Sequence, residues 1–367
     1  MGSLNNTTMK KLFTLFCLLG MHAWCFAQYP QVQIPGSQLR KLSSAVVGQE
    51  YELQVLLPAG YGTTAKKYPV VYLMDSQWDF PLVKSIYGQQ YYDGFIPELI
   101  VVGVTWGGVN PNPDSLRVRD YTPTNDGNAA QGGHADQFLS FMKTELFPFV
   151  ESNYQASDSG RILMGCSLGG LFTLYTLFTQ PDLFSGYVAA SPAIGWDKEA
   201  LSGYEKQLAG GKLSNAKRVY MTIGDVERSR PAYEKFAAKL TAGKNATTVK
   251  SSILVNTGHS GTKSETYTRG LQFVFEKPKL ALAPAVLHRY EGRYETGPGN
   301  HVQVKSEKGK LVLYVSPTET YPLYAASETE FYSNSGFLNL VFRLAQGKTE
   351  GFQLNTYGAS RFIRKVE

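Results

Sequence analysis

The sequence has few of the residues that hold metals. Only 3 cysteines and 5 histidines occur among its 367 residues. No group of histidine, cysteine and aspartate in the sequence has the spacing of a metal site. The phosphate-binding pattern Gly-x-x-x-x-Gly-Lys-Ser/Thr is also absent. The sequence therefore predicts neither a metal nor an organic cofactor.

Long runs of like charge are missing too. Lysine and arginine number 36 against 30 aspartates and glutamates, a formal net charge of +6. Because nucleic-acid-binding domains carry a concentrated basic surface, and the basic residues here form no run, we expect no nucleic-acid partner. The 43% of apolar and 13% of aromatic residues exclude a disordered chain. The length and composition suffice for one large core, or for a core and a small second domain.

The N-terminal segment is typical of an exported protein. Two lysines precede an apolar run over residues 12–19, and Cys25 and Ala27 are small residues that flank a cleavage site. The apolar run is too short to span a membrane. We therefore expect a signal peptide over residues 1–27 and a periplasmic or secreted protein. The mature chain then keeps only Cys166, which excludes an intrachain disulfide.

Short apolar runs alternate with longer amphipathic ones between residues 52 and 276. The runs predict strands at 52–57, 69–74, 99–104, 161–164, 187–190, 218–223 and 251–255. The amphipathic segments predict helices at 135–154, 168–179, 231–242 and 264–276. Continuous aliphatic runs are expected where both faces of a strand are covered. This alternation predicts an α/β domain with a mostly parallel sheet, over residues 28–280.

The pattern changes after residue 277, where no long helical period remains. Residues alternate between apolar and polar at 301–306, 310–316, 337–344 and 351–354. A period of two separated by turn residues is typical of antiparallel strands with one buried face. The sequence therefore predicts a small antiparallel β domain over residues 286–367.

The clearest chemical motif is Gly165-Cys-Ser167-Leu-Gly169, which joins the predicted strand at 161–164 to the predicted helix at 168–179. Gly-x-Ser-x-Gly at a strand-to-helix turn holds a serine in a strained backbone and exposes its hydroxyl. Glycines are needed there because side chains would clash. The bare pentapeptide is weak evidence by itself, and the strand before it and the helix after it give it weight. We predict that Ser167 is a nucleophile.

A serine nucleophile needs a base, and His259 is the best-placed histidine. It lies in a glycine-flanked loop between the last strand and the last helix of the α/β region. His134 precedes the serine, whereas strand-to-helix serine elbows run in the order serine, acid, histidine. The remaining histidines belong to the signal peptide or the β domain: His22, His288 and His301. We predict that His259 is the general base.

The acid that orients the histidine is expected after the strand at 218–223. That strand ends in Gly224-Asp225-Val-Glu227, which offers two carboxylates. Either could hold the imidazole and stabilise its protonated form. Glu227 is the first choice and Asp225 the alternative, and the unused residue is expected to cap the loop or face solvent.

The oxyanion hole requires two backbone N–H groups. One comes from the residue after the nucleophile, here Leu168. The other should come from the loop after an early strand, and the segment that follows residues 69–74 suits this role. We predict that Gln77 is the second donor.

Several further motifs resemble the putative-esterase branch of the α/β hydrolases. This branch includes enterochelin and other siderophore esterases, S-formylglutathione hydrolases, feruloyl esterases and mycolyltransferases. The resemblance covers about residues 52–276. The motifs that carry it lie at 71–75, 117–123, 132–139, 145–148, 165–170 and 191–192. The blocks Arg-Asp-x-Thr-Pro and Gly-Gly-x-Ala-Asp look most like the siderophore-esterase members.

The resemblance implies an α/β-hydrolase fold and a serine carboxylic-ester hydrolase that works through an acyl-enzyme. Ser167, His259 and Glu227 would be its catalytic residues, and Gln77 its second oxyanion donor. The substrate it implies is a siderophore built as a tri-catecholate trilactone. A feruloyl or acetyl ester on plant polysaccharide is the alternative substrate, so the ester is either a small molecule or linked to an oligosaccharide. A non-catalytic exported protein that binds a siderophore or a glycan is the alternative from another class.

Two differences from the family leave the oxyanion loop and the acid undecided. Many relatives have Asp-Gly or His-Gly where this chain has Asp75-Ser76, and some siderophore esterases use a Ser–His pair with little help from an acid.

Candidate substrate-binding residues are Trp78, Trp106, Trp196, Arg117 and Arg119. The aromatic residues could line a pocket and the arginines could bind an anionic substrate. Core packing of the aromatics and ion pairs such as Arg119 with Asp120 are the alternatives.

Overall fold

The computed structural model describes residues 33–63, 65–127, 131–204, 216–243 and 247–367. The predicted signal peptide at residues 1–27 lies outside this range. The residues from Gly36 to Glu367 form one structural unit. No helix in the described part of the chain is long and apolar enough to cross a membrane.

Eight strands of the described chain form one mixed sheet in the order β1-β2-β4-β3-β5-β6-β7-β8. Their bounds are β1 (Ser37–Ser44), β2 (Gln49–Leu56), β3 (Tyr68–Leu73), β4 (Ile100–Trp106), β5 (Ala156–Cys166), β6 (Gly186–Ala190), β7 (Lys217–Gly224) and β8 (Thr247–Leu254). Strands β4, β3 and β5 to β8 are parallel, and β1 and β2 are antiparallel additions at one side. All seven predicted strands are present. The extra strand β1 is mostly exposed or half-buried, so its sequence carries no apolar run.

All but the last of the helices below pack on the two sides of this sheet, and the last contributes Leu287 to the core of the C-terminal region. Their bounds are α1 (Ser76–Tyr92), α2 (Pro113–Tyr121), α3 (Ala135–Phe141), α4 (Phe147–Asn153), α5 (Leu168–Thr179), α6 (Arg230–Ala242), α7 (Thr262–Val274) and α8 (Pro284–His288). A π-helical turn, Met142–Leu146, joins α3 to α4, so one predicted helix is continuous but irregular. Helices α1, α2 and α8 were not predicted. Pro81 lies inside α1, and an internal proline removes a helical hydrogen bond and hides the pattern.

Parallel strands bring four loops to one edge of the sheet. Cys166 at the end of β5 pairs with Ala190 of β6, which pairs with Thr222 of β7. Gly224 of β7 pairs with Leu254 of β8. The carboxyl ends of β5, β6, β7 and β8 therefore lie side by side. We call this side of the sheet the carboxyl edge, and ligand sites of open α/β sheets form there.

The C-terminal region is a closed antiparallel barrel, which confirms the predicted β domain. Its strands are β9 (Gly292–Gly297), β10 (Asn300–Glu307), β11 (Lys310–Tyr314), β12 (Thr320–Ala325), β13 (Glu330–Ser333), β14 (Leu338–Ala345), β15 (Lys348–Thr356) and β16 (Ala359–Lys365). Aromatic side chains fill its interior, and the Tyr290 and Phe342 rings stack with centroids 4.2 Å apart. Pairing of β16 with β9 closes the barrel and leaves no free strand edge.

The barrel contacts the C-terminal end of α1. The Tyr92 and Tyr357 ring centroids lie 5.3 Å apart, and those of Phe95 and Phe337 lie 6.4 Å apart. Helix α1 starts next to the carboxyl edge, directly after β3, and runs 17 residues away from it. These contacts therefore join the barrel to the end of α1 remote from the carboxyl edge.

Candidate active site

Ser167 lies at the sharp turn between β5 and α5. Its φ of 59° and ψ of −119° are strained for a residue with a side chain. A Cβ on Gly165 would lie 2.6 Å from the carbonyl oxygen of Gly169, and a Cβ on Gly170 would lie 3.0 Å from the Cα of Pro192. Only glycine fits at these two positions. The local geometry is therefore that of a nucleophile elbow.

Cys166 precedes Ser167 but is not poised to react. Its thiol is buried, and burial raises its pKa to about 12. Because the thiolate is the nucleophilic form of cysteine, this side chain is inert near neutral pH. Ser167, next in the turn, is only partly buried.

His259 and Glu227 form a hydrogen-bonded pair. The distance from His259 Nδ1 to Glu227 Oε2 is 2.7 Å. Glu227 Oε1 accepts from the Ser191 hydroxyl at 2.6 Å and from the Gly224 N–H at 2.8 Å. Burial raises the pKa of Glu227, but these three donors outweigh burial and the net pKa is lowered. An ionised Glu227 assigns the proton to Nδ1 and leaves Nε2 as the basic nitrogen.

Asp225 takes a different role from Glu227. Its carboxylate accepts from the Thr257 N–H at 3.2 Å, in the loop that carries His259. Backbone N–H groups of Asn256 and Thr257 lower its pKa. Asp225 therefore caps the loop, as expected of the unused carboxylate, and Glu227 is the acid that contacts the imidazole.

The His259 imidazole is 49% exposed and lies at the carboxyl edge after β8. Ser167 and His259, both in the described part of the chain, are not hydrogen-bonded to each other. Catalytic hydrogen bonds of free enzymes often tighten only when substrate is bound. The pair is therefore placed on one edge with the imidazole accessible.

Two helices begin next to Ser167. Leu168 is the first residue of α5, and Gln77 is the second residue of α1. The first N–H groups of a helix have no acceptor within it and carry the positive end of the helix dipole. A Cβ on Gly169 would lie 3.1 Å from Asp75 Oδ2, which shows that the two helix starts touch. Gln77 was expected in a loop; it lies instead in the first turn of α1.

Arg117 pairs with Asp75 at the start of α1. Arg117 Nε and Nη2 donate to the two carboxylate oxygens at 3.0 and 2.7 Å. Asp75 has a left-handed backbone with φ 55°, and its N–H donates to the Tyr121 hydroxyl at 3.3 Å. Burial raises the pKa of Asp75 despite this pair. Arg117 was expected either to bind an anionic substrate or to form an ion pair. The structure shows the ion pair, which stabilises the turn before α1.

Replacing Arg117 with methionine is expected to lower the free energy of unfolding by about 3 kcal/mol, because the buried Asp75 carboxylate loses its partner. Urea unfolding checks this. Combining it with Asp75→Asn should recover part of the loss, since an amide carries no charge. As a control, Arg230→Met breaks an exposed pair with Glu234 and should cost less than about 0.5 kcal/mol. Equal losses for the two arginine variants would contradict the buried-pair assignment.

Arg119 and Trp106 both bind the buried carboxylate of Asp120. Arg119 Nε donates to Oδ1 at 2.6 Å, and Trp106 Nε1 donates to Oδ2 at 2.7 Å. The Tyr51 hydroxyl also donates to Oδ2 at 2.7 Å. The ion pair expected as the alternative for Arg119 is thus present. Trp106 is only 3% exposed, so the prediction that it lines a substrate pocket is wrong. Burial of an indole whose N–H is satisfied stabilises the core instead.

Trp78 and Trp196 differ in exposure. Trp78 is 49% exposed in the first turn of α1, one residue after Gln77, with the Arg117 guanidinium carbon 5.6 Å from its ring centroid. Trp196 packs against the main core, and its Nε1 donates to the Thr124 carbonyl at 3.0 Å. Trp78 is therefore the candidate aromatic that remains accessible beside the site.

Sequence reasoning assigned no role to Ser191 and Thr262. Both hydroxyls are buried beside Glu227, and they lie 2.8 Å apart. The Ser191-Pro192 motif was a signal for the first of them, but a motif alone does not show where the hydroxyl points.

The elbow, the His–carboxylate pair and the two helix starts lie at the carboxyl edge of a mostly parallel sheet, which defines an α/β hydrolase. The chain belongs to the family described as putative esterase, whose model matches residues 44–304.

Similar proteins are named as siderophore esterases. The chain is 33% identical over 178 residues to the ferri-bacillibactin esterase BesA of Bacillus subtilis, across 45% of this chain and 61% of BesA. It is 30% identical over 156 residues to the siderophore triacetylfusarinine C esterase of Aspergillus fumigatus, across 41% of this chain and 53% of that protein. Both matches thus span less than two thirds of the relative's length.

A solved structure extends the likeness to the fold. An IroE-like serine hydrolase from Shewanella oneidensis is 28% identical and superposes with a TM-score of 0.58. The match covers 65% of this chain and 80% of that one. A Bacillus cereus protein titled BES superposes with a TM-score of 0.61 at 23% identity.

Proposed function

We propose that this protein is a serine carboxylic-ester hydrolase. The observation that carries the proposal is the 2.7 Å bond from His259 Nδ1 to Glu227 Oε2, on the same edge as the strained Ser167 turn. A non-catalytic scaffold has no need to keep an ionised acid aligned on a histidine at the sheet edge that also carries a strained serine turn. The named relatives support the same reaction class.

The mechanism follows from these positions. Ser167 Oγ attacks the ester carbonyl while His259 Nε2 takes its proton, and Glu227 stabilises the imidazolium that forms. The N–H groups of Leu168 and Gln77 bind the tetrahedral oxyanion. His259 then protonates the leaving alcohol. Water, activated by the same histidine, releases the acyl group from Ser167.

The substrate proposed is a siderophore whose backbone is held by esters, of the tri-catecholate trilactone kind. Support comes from the names of the relatives and from the motifs at residues 117–123 and 132–136. Trp78 offers an accessible ring for an aromatic acyl group. We further propose export through the N-terminal segment at residues 1–27, which fits a substrate that is taken up from outside the cell.

A direct comparison of substrates tests the proposal. Purified protein is assayed on a ferric tri-catecholate trilactone, a feruloylated oligosaccharide and a short p-nitrophenyl ester. We expect hydrolysis of all but the oligosaccharide, with the highest kcat/KM on the trilactone. A preference for the oligosaccharide would reject the siderophore assignment. Failure on every ester, with no labelling of Ser167 by a fluorophosphonate, would favour a binding protein instead.

Removing the barrel is expected to leave the chemistry nearly intact. A fragment of residues 28–280 should keep kcat/KM on the short ester within about tenfold, or roughly 1.4 kcal/mol. The reason is that the barrel contacts Tyr92 and Phe95 at the far end of α1. In the full chain, His288→Ala and His301→Ala serve as controls and should retain activity. A folded fragment without activity would mean that the barrel supplies a residue to the site.

A further inference from the structure

Two buried hydroxyls join the acid to the loop that carries the histidine. Ser191 directly follows β6, and Thr262 is the first residue of α7. Ser191 Oγ lies 2.6 Å from Glu227 Oε1 and 2.8 Å from Thr262 Oγ1. Thr262 Oγ1 in turn lies 2.8 Å from the carbonyl oxygen of His259. The four groups form a continuous chain from the carboxylate to the main chain of the histidine.

This series of hydrogen bonds has three contacts but only two protons. The Ser191 and Thr262 hydroxyls supply one proton each, and the carboxylate and the carbonyl oxygen only accept. Because the lowered pKa of Glu227 keeps it ionised, the Ser191 proton is committed to the carboxylate. The single Thr262 proton is therefore left for two acceptors, the Ser191 oxygen and the His259 carbonyl. Ser191 thus serves the acid, and Thr262 links Ser191 to the histidine loop by sharing its proton between Ser191 Oγ and the His259 carbonyl.

The backbone of Ser191 has an unusual conformation that directs its hydroxyl towards Glu227. Its φ of 38° is in the left-handed region, which residues other than glycine and asparagine seldom adopt. The Ser191 N–H is held by the Thr222 carbonyl at 2.9 Å. Strained residues persist where surrounding contacts determine their conformation, and they cluster at functional sites. Here the strained backbone presents Oγ to Glu227.

We propose that Ser191 and Thr262 are positioning residues for ester hydrolysis. Ser191, together with the Gly224 N–H, holds Glu227 Oε1 so that Oε2 faces His259 Nδ1. Thr262 holds the His259 main chain at the start of α7. Neither hydroxyl reaches the substrate, since both side chains are buried. This inference rests on the proposed esterase function and assigns the groups that align its acid and base.

The test compares Ser191→Ala and Thr262→Val with two controls. Thr262→Ser keeps the hydroxyl. Thr222→Val removes a buried hydroxyl that bonds Thr266 at 2.5 Å, between strand β7 and helix α7, and that contacts neither Glu227 nor His259. Activity on a short p-nitrophenyl ester is measured as kcat and KM against pH, and folding is checked by thermal melting.

Ser191→Ala should lower kcat about tenfold or more, with KM changed less than about threefold, because only the alignment of the acid is lost. Thr262→Val should lower kcat severalfold. Thr262→Ser and Thr222→Val should follow the wild-type profile.

The outcomes separate this inference from the proposed function. An active wild type whose kcat is unchanged in Ser191→Ala and Thr262→Val overturns the positioning role alone. A wild type that hydrolyses no ester and takes up no fluorophosphonate overturns both. If Ser191→Ala does not fold, Thr262→Val compared with Thr262→Ser decides: equal kcat overturns the role, and a loss only in the valine variant supports it.

Discussion

Replacing Ser167 with alanine is expected to lower kcat/KM for a short p-nitrophenyl ester by at least about 10⁴-fold. The methyl group cannot form the acyl-enzyme, so only binding and the oxyanion N–H groups can still act. The fold should be retained, although alanine keeps the strained φ of 59°. Steady-state kinetics and labelling with a fluorophosphonate measure the effect, and the variant should take up no label.

Cys166 supplies the matched control for this variant. It is the adjacent residue and has an intrinsically reactive side chain, but burial raises the pKa of its thiol to about 12. Cys166→Ala should therefore keep kcat/KM within a few-fold and should still be labelled. Loss of labelling in Cys166→Ala together with its retention in Ser167→Ala would assign the nucleophile to the thiol and reject the serine mechanism.

The second large effect is expected at the acid. Glu227→Gln should lower kcat about 10³- to 10⁴-fold. Both the Gly224 N–H and the Ser191 hydroxyl donate to Oε1, so that position must remain a carbonyl oxygen in the amide. The NH₂ group then faces His259 Nδ1 and donates to it. The imidazole is forced to carry its proton on Nε2, where it cannot accept the proton of Ser167.

Asp225→Asn is the matched control for Glu227→Gln. The two residues follow the same strand, and both changes replace a carboxylate with its amide. The shorter amide retains an oxygen that can accept the Thr257 N–H, so kcat should stay within about threefold of wild type. The reverse result, a large loss in Asp225→Asn and a small one in Glu227→Gln, would reassign the acid. Small losses in both would indicate a Ser–His pair that works without one.

The sequence by itself determined the features that depend on neighbouring residues. Strands β3, β4, β6 and β7 are largely buried and rich in apolar residues, so their positions were predictable. The elbow was predictable because its glycines and serine are adjacent in the chain and meet the same steric constraint. The order of serine, acid and histidine along the strands likewise identified His259 before any contact was known.

Only the tertiary structure decided matters that depend on distant residues. Glu227 and Asp225 are two residues apart and chemically alike. The choice between them depends on the contact of Glu227 with His259 and on the Ser191 hydroxyl, which donates to Glu227 from the loop after β6. Trp106 is the last residue of an apolar strand. Only its burial and the hydrogen bond from its Nε1 to the buried Asp120 show that the indole belongs to the core. Closure of the barrel depends on pairing its first strand with its last, which no local period reveals. Long-range hydrogen bonds and burial, unlike turns and strands, are not encoded in any short window of sequence.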